Sequence, residues 1–273
     1  MTAPTTAPTR TATTAVTRGR RGTRWLGGLN PLAKIAGPAP AMIALVFVRD
    51  LTTPIAFLCL AYVLLLTGTR LTRRLVALLA GVVPLSIMVI GLGFSLWVDP
   101  ARVESTTALI RVGEWTLTDG AVSTGLSTAM RLAAIMTLAF VGGLTTSGPD
   151  LVRALVQNLR VPYRIGYAAL AAIRFVPRFG HELDVIRQAH RVRGTRGGVL
   201  SAPARGIGYV VPLLAGAIRH AERVALAMDA RAFGAHPDRT ERHRVPWRRR
   251  DTVFTLAFWA VSAALFVVPR LSV

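Results

Sequence analysis

Residues 75–98 read LVALLAGVVPLSIMVIGLGFSLWV, 24 positions without one charged side chain. About 20 apolar residues in a helix cross the hydrocarbon core of a bilayer, so this stretch is long enough to span it. In lipid the backbone N–H and C=O groups must be satisfied inside the protein, and a helix does this within a single segment. The stretch therefore predicts an all-α integral membrane protein, and the rest of the chain can be read outward from it.

Just before it stands TGTRLTRR, residues 67–74, with Arg70, Arg73 and Arg74 close together. Upstream of that, an apolar region from Ile35 to Leu66 is interrupted by Arg49 and Asp50. Its halves, Ala41–Val48 and Pro54–Leu66, are short for a span and read as two helices that turn at Arg49–Asp50. The region opens on LNPLAKI, where Asn30 can cap a helix whose first position is Pro31. Lys34, just past that start, reads as an anchor to the inner interface. Downstream, a polar loop runs over 99–120, and LIRVGEWTLT within it alternates around a glycine and predicts a small hairpin outside the membrane. The next span is Leu126–Leu144, containing Arg131, a charge that calls for snorkelling, an internal partner or a protein contact. The last is Val253–Val268, which makes about five spans.

Over its 273 residues the chain is 52% hydrophobic, yet its formal net charge is +20. Mean hydropathy is +0.47. A membrane protein with one basic face satisfies both facts, because Lys and Arg accumulate in cytoplasmic loops. Nucleic-acid binding also produces basic chains, but it does not require long uncharged apolar runs. Of the 33 basic residues 32 are arginine, and with abundant alanine this fits a GC-rich coding bias, so arginine content alone carries little functional weight. Residues 1–28, rich in Thr, Ala, Pro and Arg, read as a disordered basic tail and contain no secretory signal. Residues 29–144 hold the membrane helices, 145–251 a long basic segment divided by Pro162, Pro177 and Pro212, and 252–273 the last membrane helix. The tail, the TRLTRR loop and the basic segment fall on one side if there are five spans. The positive-inside tendency makes that side the cytoplasm.

Several chemistries are excluded. A P-loop needs Gly-Lys-Ser or Gly-Lys-Thr, and the only lysine lies in NPLAKIAG. If ATP drives this protein, another chain binds it. HELDV begins like a zinc-protease helix, but Val185 stands where the second histidine is needed. His181, His190, His220, His236 and His243 all lie in the basic segment and read as solvated surface; no metal or other cofactor is expected. GLSTAM lacks the second glycine of a nucleophile elbow, so no catalytic serine is supported. Cys59 alone builds neither a disulfide nor a metal site.

Two segments end alike. HELDVIRQAHRVRG, 181–194, has an apolar face through Leu183, Ile186 and Ala189 and stops at Gly194. AIRHAERVALAMDARAFG, 217–234, has a stripe of Ile218, Ala221, Ala225 and Met228 and stops at Gly234, with Pro237 beyond. Each carries an arginine at its end, Arg193 or Arg231, between small or apolar flanks: Val192 and Gly194, Ala230 and Ala232. An arginine near a helix C-terminus complements the dipole by about 0.3–1 kcal/mol. Small flanks also admit a partner, and a guanidinium fork can pair with its carboxylates or carbonyls. Residue chemistry alone leaves both readings open.

These endings resemble the paired X-Arg-X motifs, often Ala-Arg-Gly, of the transmembrane T component of energy-coupling factor (ECF) transporters, the EcfT/CbiQ-like family. LNPLAKI, WTLTDG, TTSGPDLVRAL, RFVP, RQAHRVRG and AIRHAERVALAMDARAFG resemble successive blocks of that family, in order, over about residues 28–235. The departures are Val192 in the first motif and Ala232 in the second. The resemblance implies a non-catalytic scaffold in a bacterial cell membrane, with two ABC-type ATPase subunits and a substrate-binding S component as partners. It implies two long crossing coupling helices, with Arg193 and Arg231 docking on the ATPases and Val192, Gly194, Ala230 and Ala232 as flanks. Ile186, Ala225 and Met228 would pack against the S component or the opposite coupling helix. The cargo would be a vitamin or a transition-metal ion. The alternative is a membrane-embedded enzyme acting on phosphorylated or lipid substrates at the basic face. It requires converging acidic or histidine residues, and none are so arranged. A nucleic-acid binder would interleave aromatics with the basic residues. Tyr163, Tyr167, Phe175, Phe179, Tyr209 and Phe233 lie mostly on apolar stretches instead.

Overall fold

The structure is a computed structural model that describes residues 25–98, 108–112, 115–193, 202–236 and 240–271. In chain order its helices are α1 Pro31–Ala36, α2 Pro38–Val46, α3 Thr52–Gly68, α4 Arg73–Ala77, α5 Val83–Trp97, α6 Asp119–Thr145, α7 Gly148–Asn158, α8 Tyr163–Val192, α9 Ala202–Asp229 and α10 Arg249–Leu271. A 3-10 turn, Trp25–Gly28, precedes α1, and a π turn, Leu78–Val82, joins α4 to α5. The expected hairpin is present as β1 Ala108–Val112 paired antiparallel with β2 Trp115–Thr118. The chain divides into two units, Gly148–Pro246 and the remainder, Met1–Ser147 with Trp247–Val273.

Among the described residues, three helical stretches of the larger unit are long and apolar enough to cross a membrane: Arg73–Trp97, Asp119–Thr145 and Arg249–Val267. Pro31–Val46 and Thr52–Gly68 are shorter apolar helices, and they turn at Arg49–Asp50 as expected. The Asp50 carboxylate accepts the Thr53 N–H at 2.8 Å, which holds that turn at the start of α3. α6 begins seven residues before the expected Leu126. Its first turns contain hydroxyls that lower the hydropathy, but those of Ser123, Thr124, Ser127 and Thr128 all donate to carbonyls one turn back. Their polarity is thus satisfied within the helix.

Pro40 and Pro84 each leave a carbonyl without a helical donor, and in both places an aromatic side chain supplies one. Pro40 has no N–H for the Ala36 carbonyl, which instead accepts the Trp259 indole N–H at 3.1 Å. In the π turn Val83 N–H bonds to the Leu78 carbonyl. The next donor in that register would be Pro84, and the Leu79 carbonyl instead accepts the Tyr62 hydroxyl at 2.6 Å. Both repairs are what an apolar solvent demands.

Two buried clusters fill this unit. Ala41, Leu45, Phe57, Ala61, Ala134, Leu138 and Phe258 form one. Leu26, Leu29, Leu65, Leu75, Leu79 and Val141 form the other. α5 and α6 approach closely through small residues. A Cβ on Gly125 would lie 2.6 Å from the Gly91 carbonyl oxygen, and one on Gly91 would touch Ala129. Such small-residue seams let van der Waals packing hold helices together in lipid.

Two charges find internal partners. Arg131 donates to the Val48 carbonyl at 2.8 Å, beyond the end of α2. Lys34 is not an interface anchor: it is 2% exposed and donates through Nζ to the Thr145 carbonyl at 2.9 Å. One turn earlier, the Asn30 N–H donates to Asp251 Oδ1 at 2.6 Å. The Asp251 Oδ2 accepts the Arg248 N–H at 2.7 Å. The end of α6 and the start of α10 are thereby fixed to one short helix.

In the smaller unit, α8 and α9 run antiparallel side by side. Phe175 meets His220 with ring centroids 4.1 Å apart, and His190 meets Tyr209 at 5.1 Å. Pro177 and Pro212 lie inside α8 and α9 and do not divide the segment as expected; only Pro162 marks a boundary, preceding α8. α7 packs on α8 where Gly166 leaves room for Val156. Gln157, at its end, donates to the His243 carbonyl at 2.9 Å and accepts the Val245 N–H at 2.7 Å.

Candidate docking site

α9 ends at Asp229, five residues before the expected stop at Gly234. The Ala232 N–H bonds to the Asp229 carbonyl at 2.9 Å, and the Phe233 N–H to the Met228 carbonyl at 3.0 Å. Ala232 has φ +53, the left-handed conformation. Together these make a Schellman ending with Ala232 at C′ and Arg231 at the C-cap. Gly234 also has positive φ, at +92, but lies two residues past C′. The third place of the motif thus requires a conformation that glycine adopts freely and that costs alanine about 1 kcal/mol.

The turn rests on the first turns of α8. The Phe233 ring lies 5.7 Å from Tyr163 and 6.1 Å from Tyr167. Arg164 donates to the Gly234 carbonyl at 2.8 Å, and the Tyr163 hydroxyl to the His236 carbonyl at 2.7 Å. Sequence reasoning missed these four supports. The i, i+4 pair Tyr163 and Tyr167, with an aromatic directly after the motif, was the available signal. Ala230, Arg231 and Ala232 are all exposed.

Arg193 is the C-cap of α8, its N–H bonded to the Ala189 carbonyl at 3.1 Å. It is exposed, and Val192 beside it is 90% exposed. Gly194 lies outside the described residues, as does Pro237. Because α8 and α9 are antiparallel, the two arginines sit at opposite ends of the pair. The turn that carries Arg231 rests through Phe233 on Tyr163 and Tyr167, and about 26 residues of helix separate Tyr167 from Arg193, roughly 40 Å at 1.5 Å per residue.

The seam between α8 and α9 differs from the expected stripe. Half-buried Leu213, Gly216, His220, Val224 and Met228 follow at helical spacing, and Gly216 and His220 touch α8. Ile218, Ala221 and Ala225 are exposed on another face. Ile186, on α8, is half-buried like Met228. His190 and His220 belong to the seam and not to solvated surface. The His220 imidazole is held below its ordinary pKa, first by lost hydration and then by Arg178 and Arg223, with Glu182 opposing. Among the described residues no group of three His, Cys, Asp or Glu side chains is placed to hold a metal ion.

This geometry, an antiparallel pair with an exposed arginine at the cap of each helix, coincides with a family match over residues 22–242 to CbiQ, cobalt transport protein. The chain belongs to the CbiQ family. The energy-coupling factor transporter transmembrane protein EcfT of Staphylococcus aureus is 27% identical over 251 residues, 88% of this chain and 91% of that protein. EcfT of Limosilactobacillus fermentum is 31% identical over 169 residues, 58% of this chain and 63% of that protein, so that alignment spans under two thirds of the relative. A putative ABC transporter ATP-binding protein of Bifidobacterium longum, BL0043, matches at 26% over 250 residues, 88% of this chain but 31% of that protein. The match thus covers under a third of a longer protein named as ATP-binding. The T-component resemblance drawn from the ordered motifs agrees with the CbiQ assignment.

Proposed function

We propose that the chain is the non-catalytic coupling subunit of an ECF-type importer in a bacterial membrane, with Gly148–Pro246 cytoplasmic. Arg193 and Arg231 dock on two ABC-type ATPase subunits, and the described apolar surfaces receive an S component that carries a vitamin or transition-metal ion. The observation that carries the reading is the placement of the two exposed arginines. Each caps a helix in an antiparallel pair, and some 40 Å apart they reach two binding grooves and not one. The BL0043 match supports ATPase partners, because there a similar segment shares a chain with an ATP-binding protein.

The test is co-expression with candidate ATPase subunits, purification through an ATPase tag, and ATP-dependent uptake. Arg193→Ala or Arg231→Ala alone should weaken association by at least about 2 kcal/mol, near thirtyfold, as expected for a buried arginine anchor. The double variant should abolish co-purification while staying folded in the membrane. Wild-type association that survives both substitutions would sink the docking reading.

A further inference from the structure

The end of the larger unit that holds the Lys34–Asp251 network also gathers six exposed arginines. Arg70, Arg73 and Arg74 lie between α3 and the first turn of α4, and Arg248, Arg249 and Arg250 open α10. The Trp25–Gly28 turn joins the two groups. Leu26 fills the place a side chain on Gly68 would need, and Trp25 lies edge-on to Phe254, ring centroids 6.0 Å apart. Leu65 and Leu75, on either side of the first arginine group, pack in the same cluster as Leu26, with Phe254 against it. The arginine groups therefore flank one turn at one end of the unit.

This end has no exposed acidic side chain among the described residues to balance them. Its carboxylate, Asp251, is 1% exposed and committed to the N–H groups of Asn30 and Arg248. Two amphipathic rings complete the surface. Trp25 is 48% exposed and Trp247 41%, and the Trp247 indole N–H bonds to Thr252 Oγ1 at 2.8 Å. Tryptophan at that depth belongs to the headgroup layer, and arginines beside a membrane helix attract anionic lipid.

We infer that this surface is an anionic-phospholipid site, in which Arg70, Arg73 and Arg74 with Arg248, Arg249 and Arg250 engage headgroup phosphates around the Trp25 turn. Charge complementarity selects the occupant, and the adjoining spans place the surface at the hydrocarbon boundary. The inference rests on the membrane reading of the chain but needs neither ATPase nor S component.

The test uses the full-length chain in mild detergent, given equimolar phosphatidylglycerol and phosphatidylcholine of matched acyl chains. Retained lipids are counted by native mass spectrometry. Wild type should retain phosphatidylglycerol preferentially. The triple variants Arg70→Gln/Arg73→Gln/Arg74→Gln and Arg248→Gln/Arg249→Gln/Arg250→Gln should each lower that preference about tenfold. A charge-matched control in the smaller unit, Arg174→Gln/Arg187→Gln/Arg219→Gln, should leave it unchanged. The basic N-terminal segment is common to all variants and cancels. Equal retention of both lipids by wild type overturns the inference, as does a control that falls as far as the two triple variants of this surface. A triple variant of this surface that keeps its lipid ratio but loses a co-purifying protein would assign the surface to that protein and overturn it too. Loss of ATPase docking in the Arg193 and Arg231 variants with the lipid ratio intact would leave the inference standing.

Discussion

Ala232 shows how one side chain sets the quality of a helix ending. It stands in the left-handed C′ position of a Schellman ending, where a Cβ crowds the backbone. Ala232→Gly should therefore stabilise the end of α9 by about 1 kcal/mol, read as slower amide exchange at Phe233 and Gly234. An unchanged or faster rate would show that the turn is held by its aromatic supports alone. The arginine of this motif was legible in the sequence because small flanks stand out beside a guanidinium. The terminator was not: Gly234 is the obvious helix stop, and only the hydrogen bonds of Ala232 and Phe233 reveal that alanine occupies the strained place. Lys34 was misread for a related reason. A lone lysine near a helix start looks like an interface anchor, and its carbonyl partner, Thr145, is 111 residues away.

Among the elements, the α5–α6 seam and the α8–α9 seam depend on different physics. On α6, Gly125→Ala should cost about 2–3 kcal/mol, because the new methyl meets the Gly91 carbonyl and Ser95. Gly143→Ala on the same helix meets nothing within 4 Å and should be neutral or slightly favourable. Thermal unfolding in detergent separates the two. The α8–α9 seam contains His220, whose folded pKa lies below its ordinary value of 6.5. The neutral ring is thus the form the folded pair prefers. Its contribution is intact above the unfolded value and is lost as pH falls below about 6.5, where the unfolded state takes up the proton first. The protection factors of α9 amides, exchange rates divided into their intrinsic values at each pH, should fall between pH 7.5 and 5.5 in wild type and not in His220→Phe. A flat profile in wild type would remove His220 from the seam's energetics. Long helices were readable from periodicity, but two internal prolines suggested breaks that the structure does not make. Pro177 and Pro212 are accommodated within α8 and α9, which pair along their lengths.

At the scale of the molecule, hydropathy and charge gave the order of the five apolar helices among the described residues but not their ends, and three of the five are long enough to cross a membrane. Those two signals missed the polar residues that close the larger unit, since contacts between Asn30 and Asp251 join positions 221 residues apart. Asp251→Ala would remove the buried carboxylate that accepts the N–H groups of Asn30 and Arg248, and it should lower unfolding free energy by about 3 kcal/mol. A loss under about 0.5 kcal/mol would show that the network is incidental. The same network has an ancestral reading. Lys34 and Asn30, one turn apart, hold the chain where it departs after α6 and where it returns at α10 against one short helix. An excursion that leaves and re-enters through one clasp has the form of a cassette. A lineage could lengthen, exchange or fuse that cassette while inheriting its membrane frame unaltered.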